Sequence, residues 1–253
     1  MNRRVRIDQK QQVFRHLEDG ILIITVDNPE TKNGLDWAGI EQLADCYEEI
    51  DCNDAIRLGI LTGNDRYFFT GGRVNPCNPG ENERYTNALT RYLQAAGRVR
   101  KPMIAAVHGH CMKAGMGALA LCDLAVAREG VRFSFPEVRM GGVPMMVLVD
   151  IVDAMPRKRA LEALLTSWEF SAQEALQMGL VNRVVPEEEF WPTVRQFAGQ
   201  LLSTPPWLVE MTRRAYTEMR QIPEREHRVA YADRMLRGEV LTRMAQHETI
   251  YNV

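Results

Sequence analysis

Three short apolar runs rich in β-branched residues constrain this chain more than any other feature. They are "GILIITVDN" at 20–28, "IRLGILTG" at 56–63 and "MIAAVHG" at 103–109, and each closes in glycine or Asn-Pro. Runs of that length bounded by turn residues predict strands. Helical patterns lie between them. In "LDWAGIEQLADCYEEID", Trp37, Ile40, Leu43, Ala44 and Tyr47 fall at helical spacing, and "RYTNALTRYLQAAGRVR" predicts a helix ended by Pro102. Further on, Ser171 and Glu174 have capping-box spacing and Gly179 suits the end of the same helix. Strands alternating with helices predict an α/β fold. From about residue 186 the pattern is almost wholly helical, so a core over 1–195 and a C-terminal helical region over 196–253 are expected.

Two of the strands run into glycine-containing turns, "LTGNDRYFFTGG" and "AAVHGHCMKAGMG". In an α/β fold, ligands sit beyond the carboxyl ends of strands. The second turn opens a helix, whose first N–H groups have no partner within the helix and carry its positive end. One N–H from each turn, aimed at a common point, would stabilise an oxygen acquiring negative charge. The same glycines equally suit close packing of strand on helix. The pattern GxGxxG is absent, so a dinucleotide fold is not supported.

Other classes are disfavoured. A net charge of −2 gives no long-range attraction to nucleic acid or an anionic membrane. No stretch approaches the ~18 apolar residues of a membrane span, and the basic N-terminus is followed by no apolar signal core, so a cytoplasmic protein is expected. The five cysteines, 46, 52, 77, 111 and 122, are odd in number and form no CxxC pair, which suits neither a disulfide framework nor a zinc site. His108 and His110 could share a strand face, but no third ligand stands at a recognisable spacing, so no metal is expected.

The motifs together resemble the crotonase superfamily, the enoyl-CoA hydratase/isomerase group. Its first loop, Phe-x-Ala-Gly-x-Asp, corresponds to Phe68-Phe69-Thr70-Gly71-Gly72-Arg73. Its second, Val-x-Gly-x-x-x-Gly-Gly-Gly-x-Glu, corresponds to Val107 through Gly117, with Cys122-Asp123 following. Its third, Phe-x-x-Pro-Glu, is Phe133 to Glu137, and "RALEALLT" and "SAQEALQMGLVNRVV" are close to two later motifs. The similarity spans 15–220 in one register apart from a short gap near 150.

The resemblance implies a spiral of ββα units with a C-terminal helical extension used in assembly, here a homotrimer or hexamer. It implies an acyl-CoA thioester as substrate, with coenzyme A entering as part of that substrate and no separate cofactor. The two backbone donors of the family's oxyanion hole match Gly72 and Ala114. The two glutamates of its hydratases match Glu137 and Gly117, so the second carboxylate is missing. A single carboxylate can still move a proton between two carbons, and the resemblance therefore implies a 3-enoyl to 2-enoyl isomerase with Glu137 as the shuttle. Phe69, Gly71, Gly115 and Gly117 fall at substrate-binding positions. Lys113 replaces a common family glycine, which puts either a solvated side chain at the pocket rim or a cation near the thioester or a CoA phosphate. Met145 and Met146 replace small residues and are expected to line the acyl end. Arg213 stands where a phosphate-binding lysine is frequent. The family ending is not matched by "TRMAQHETIYNV".

Hydration and thioester decarboxylation remain open within the family, as does a catalytically silent CoA-binding protein. The Clp-type serine peptidases share the spiral and have a motif similar to "AGMGA" at 114–118, but Gly115 stands in place of their serine. The RNA-binding branch relies on a lysine-rich helix. The first helix here carries Asp36, Glu41, Asp45, Glu48, Glu49 and Asp51 and no lysine.

Overall fold

The computed structural model describes residues 10–64, 66–72 and 78–246. The basic N-terminal stretch up to Gln9, Arg73, Cys77 and the residues from 247 onward lie outside them. The first expected strand is β2 (Ile21–Val26), paired antiparallel with β1 (Val13–Glu18) across a turn at Asp19 and Gly20. The next two expected strands become β3 (Leu58–Gly63) and β5 (Met103–Val107). With β7 (Leu124–Arg128) and β10 (Arg183–Val185) they complete a six-stranded sheet in the order β1-β2-β3-β5-β7-β10, parallel from β2 onward. Every residue of β3 and β5 is buried, which is why these segments read as unbroken apolar runs.

A second sheet holds β4 (Tyr67–Phe69), β6 (His110–Met112), β8 (Arg132–Ser134) and β9 (Phe170–Ser171), in that order. The chain winds between the sheets. From β3 it passes to β4 and then to helix α2 (Pro79–Arg98), from β5 to β6 and α3 (Ala114–Ala120), and from β7 to β8 and α4 (Met145–Ala154). These three ββα turns are the crotonase-like spiral that the sequence led us to expect. Helix α1 (Trp37–Cys52) begins at Asp36, whose carboxylate accepts from the N–H groups of Ala38 and Gly39. It packs on α2 through Tyr47 and Tyr92, whose rings meet edge to face at 5.2 Å. The acidic face of α1 has an internal partner: Arg91 of α2 pairs with Glu41, with Asp45 at 2.6 Å and with Glu48 at 2.6 Å.

After α5 (Arg157–Thr166) come α6 (Ala172–Gln177), opened by the Ser171–Glu174 capping box and ended at Gly179 with φ +77°, and α7 (Glu187–Ser203). Phe190, Val194 and Ala198 of α7 pack with Leu58, Ile60, Ile104, Ala106 and Val126 of the large sheet. The boundary expected after residue 195 falls inside this helix. The chain divides instead into one unit ending at Thr204 and another starting at Pro205. The second unit holds α8 (Pro206–Arg220), α9 (Arg225–Met235) and α10 (Leu241–Gln246), with Arg214 and Glu239 paired at 2.5 Å. Among the described residues, no helix is long and apolar enough to cross a membrane.

Candidate active site

Strands β4, β6 and β8 are neighbours and run parallel, with Phe69 beside Cys111 and Met112 beside Ser134. The three segments singled out in the sequence leave the sheet at the carboxyl ends of these strands. Thr70-Gly71-Gly72 follows β4, Lys113-Ala114 follows β6, and Phe135-Pro136-Glu137 follows β8. Neighbouring strands are ~4.8 Å apart, so register alone brings the segments to one edge of the small sheet.

The first turn is held from below. Asn33 donates through Nδ2 to the carbonyls of Asn64 at 2.8 Å and Tyr67 at 2.6 Å, and Thr70 donates from its N–H to Asn33 at 3.3 Å and from Oγ1 to Lys32 at 2.9 Å. Gly71, at φ +84°, accepts from the Leu35 N–H at 2.9 Å. The Gly72 N–H donates to no backbone carbonyl among the described residues. A Cβ at Gly72 would lie 1.6 Å from the Tyr85 hydroxyl, so α2 fills the space a side chain there would need.

The second turn touches the first. A Cβ built on Gly71 would meet the Lys113 Cβ at 2.5 Å and the Ala114 nitrogen at 3.0 Å. Ala114 is the first residue of α3, and its N–H likewise has no backbone acceptor among the described residues. The glycines of the two turns fall into different groups. Gly109 and Gly115 serve packing, since their Cβ atoms would fall 2.4 Å from Arg66 and 2.0 Å from the Phe69 carbonyl oxygen. Gly71, whose missing Cβ would sit 3.0 Å from the Ala114 nitrogen, lets the two turns approach each other closely. Gly117 serves neither role: its Cβ would make only ordinary contact with Val147, at 3.6 Å from Cα. Lys113 is the conformational exception. It adopts φ +52° and ψ −126°, a backbone that suits glycine, and its N–H donates to Ser134 at 3.3 Å.

Glu137 is fixed through its carbonyl, which accepts from Met140 at 2.9 Å and Gly142 at 2.8 Å. Its Oε2 is buried and makes no hydrogen bond. Burial raises the carboxyl pKa above 4.5, while its own backbone N–H and the charge of Lys113 pull it down. The balance is a carboxyl whose pKa is raised despite the charge of Lys113, as suits a general base.

Other expected positions scatter. Phe69 is buried at the end of β4, Met146 is half-buried against the core, and Met145 is exposed at the start of α4. Arg213 belongs to α8 in the second unit, and the site geometry is that of the first unit alone. The two histidines do not share a strand. His108 follows β5 with Nδ1 3.4 Å from the Thr62 hydroxyl, whereas His110 lies in β6 and accepts from the Arg132 N–H at 3.1 Å. Asp123 accepts from the Met103 N–H at 2.8 Å and joins β7 to β5, a structural role.

Sequence reasoning missed Tyr85 and Asp150. Tyr85 carried no signal beyond its place on the inner face of α2. Asp150 did: it interrupts the apolar run "MMVLVDIVDA". It stands one helical turn beyond Val147, its Oδ2 is buried without a partner, and burial, with a smaller contribution from Asp153, lifts its pKa from 3.8 to about 6.

A family model described as enoyl-CoA hydratase/isomerase matches residues 16–252. A mevalonyl-coenzyme A hydratase of Aspergillus fumigatus is 31% identical, covering 76% of this chain and 73% of that protein. A 2,3-dehydroadipyl-CoA hydratase of Escherichia coli is 28% identical, covering 80% of each. The crystal structure of human enoyl coenzyme A hydratase domain-containing protein 3 superposes with a TM-score of 0.81 at 25% identity, over 93% of this chain and 92% of that one.

Proposed function

The chain belongs to the enoyl-CoA hydratase/isomerase family, and on that premise we propose that it is an acyl-CoA isomerase that moves a carbon–carbon double bond with one carboxylate. The observation that carries this reading is the pair of residues at the two glutamate positions: Glu137, buried and unpaired at Oε2, and Gly117, with no side chain. A 3-enoyl thioester bound with its carbonyl oxygen between the N–H groups of Gly72 and Ala114 presents an acidified C2 proton. Glu137 takes that proton as the electron pair moves into the thioester, giving a dienolate whose oxygen the two N–H groups stabilise. The protonated Glu137 then returns the proton at C4, and the double bond ends between C2 and C3. Glu137 regains its charge, and no water or second carboxyl takes part.

Glu137→Gln tests this. It should lower isomerisation by about 10²–10⁴-fold and leave binding of a saturated acyl-CoA within a few fold by calorimetry. Full turnover in the variant would overturn the proposal. Hydration is the activity in both curated relatives' names, and one observation favours it as a second reading: the half-buried Asp150, with Oδ2 buried and unpartnered, one turn from the residue that covers Gly117. Under that reading crotonyl-CoA is hydrated faster than a 3-enoyl-CoA is isomerised, and Asp150→Asn abolishes the hydration.

A further inference from the structure

Lys113 joins three unusual properties. Its backbone is held where glycine would be unstrained, so a side chain persists at the cost of conformational strain. Its stem lies against Gly71, with Cδ 3.3 Å from where a Cβ on that residue would sit, so it runs beside the first turn. Its ammonium makes no ion pair or hydrogen bond among the described residues, although its charge reaches Glu137. Neither the Oε2 of Glu137 nor the ammonium of Lys113 has a partner among the described residues, and the two form no ion pair with each other.

A substrate bound at the turns of Gly71 and Ala114 meets that cation. If its acyl chain is purely hydrocarbon, closure strips water from the ammonium and offers nothing in return. If the chain carries a carboxylate, the ammonium is satisfied, and the repulsion between that carboxylate and Glu137 is offset. The CoA phosphates are a poorer match, because the Lys113 stem lies against Gly71 and beside the Ala114 nitrogen, the turns proposed to hold the thioester. We propose that Lys113 is a specificity-determining residue that receives a carboxylate borne on the acyl chain, so that the preferred substrates are CoA thioesters of unsaturated dicarboxylic acids.

This rests on the acyl-CoA reading above but not on isomerisation, and the test needs no turnover. Dissociation constants of butyryl-, succinyl- and glutaryl-CoA are measured by calorimetry with the full chain at low and high salt. The wild type should bind at least one of the two dicarboxylic esters about tenfold or more tighter than butyryl-CoA, with the preference shrinking in high salt. Lys113→Met should abolish the preference and Lys113→Arg should keep part of it. Lys113→Gly, which suits the backbone, separates loss of the ammonium from any local misfolding and should behave as Lys113→Met does. Equal affinities in the wild type, or a preference that survives in Lys113→Met and Lys113→Gly, would overturn the assignment. Failure of all three esters to bind would overturn the acyl-CoA reading along with it. A failed isomerisation assay beside an intact preference would leave Lys113 in this role and remove only the isomerase.

Discussion

Restoring the missing carboxyl is the sharpest perturbation the site allows. In Gly117→Glu, the new Cβ makes ordinary contact with Val147, 3.6 Å from Cα and 3.9 Å from Cγ1. No backbone has to move for the first carbon. Glutamate is a better helix former than glycine by about 0.5–1 kcal/mol, and that gain opposes the cost of burying a carboxyl in α3. The variant should therefore melt within a few degrees of the parent. The rest of the side chain must pass Val147, so Gly117→Glu/Val147→Ala is the companion that guarantees room. A second carboxyl positioned for acid–base work is worth about 10²–10⁴ in rate, or about 2.7–5.5 kcal/mol of barrier. Hydration of crotonyl-CoA should rise by that factor in one of the two variants, measured beside isomerisation of a 3-enoyl-CoA in the same preparation. If both variants fold, bind a saturated acyl-CoA as the parent does and hydrate no faster, the missing carboxylate is not what limits hydration and the argument from Gly117 fails.

Asp150→Asn should stabilise the protein at pH 8 and change nothing near pH 3. The carboxyl titrates at about 6 in the folded chain against 3.8 ordinarily, so folding binds a proton and stability falls as pH climbs from about 4 through 6. At full burial that shift is about 3 kcal/mol; partial exposure to water reduces it to about 1–2 kcal/mol, a few degrees in Tm by calorimetry, and an equal Tm at pH 8 would refute the reasoning. Lys113→Gly should raise Tm by roughly 1–4 °C, because about 1–2 kcal/mol of positive-φ strain outweighs about 0.5–1 kcal/mol of glycine entropy. Lys113→Met keeps the strain and should show no such rise; a fall in Tm for the glycine variant would mean that the Lys113 stem contributes more by packing on Gly71 than its backbone loses.

The alternation of strands and helices was legible because β3 and β5 are buried on both faces and α1 is not, so their hydrophobic periods differ. Glu137, Gly72 and Ala114 were legible through motifs. What placed them together was not: β4, β6 and β8 are three residues each, too short for any periodic signal, and their pairing is wholly non-local. Glycine looks alike wherever it occurs, so the sequence could not separate Gly115, which packs against a carbonyl, from Gly117, which packs against nothing closely. Tyr85 was invisible for the complementary reason, since its role is to occupy the side-chain space of a glycine distant in sequence.

The two donors proposed for the site belong to the main chain, and no substitution other than proline removes a backbone N–H. On the proposed reading, a lineage built on this spiral can exchange Glu for Gly at 117, or Gly for Lys at 113, and keep both donors. Chemistry can then drift at the side chains while the proposed capacity to steady an enolate is passed on. A saturation mutagenesis screen would consequently read side-chain packing at Ala114, not loss of its N–H, except in the proline variant. It would detect the centre only indirectly, as intolerance to bulk at Gly72 and Gly115, where Tyr85 and Phe69 leave no room.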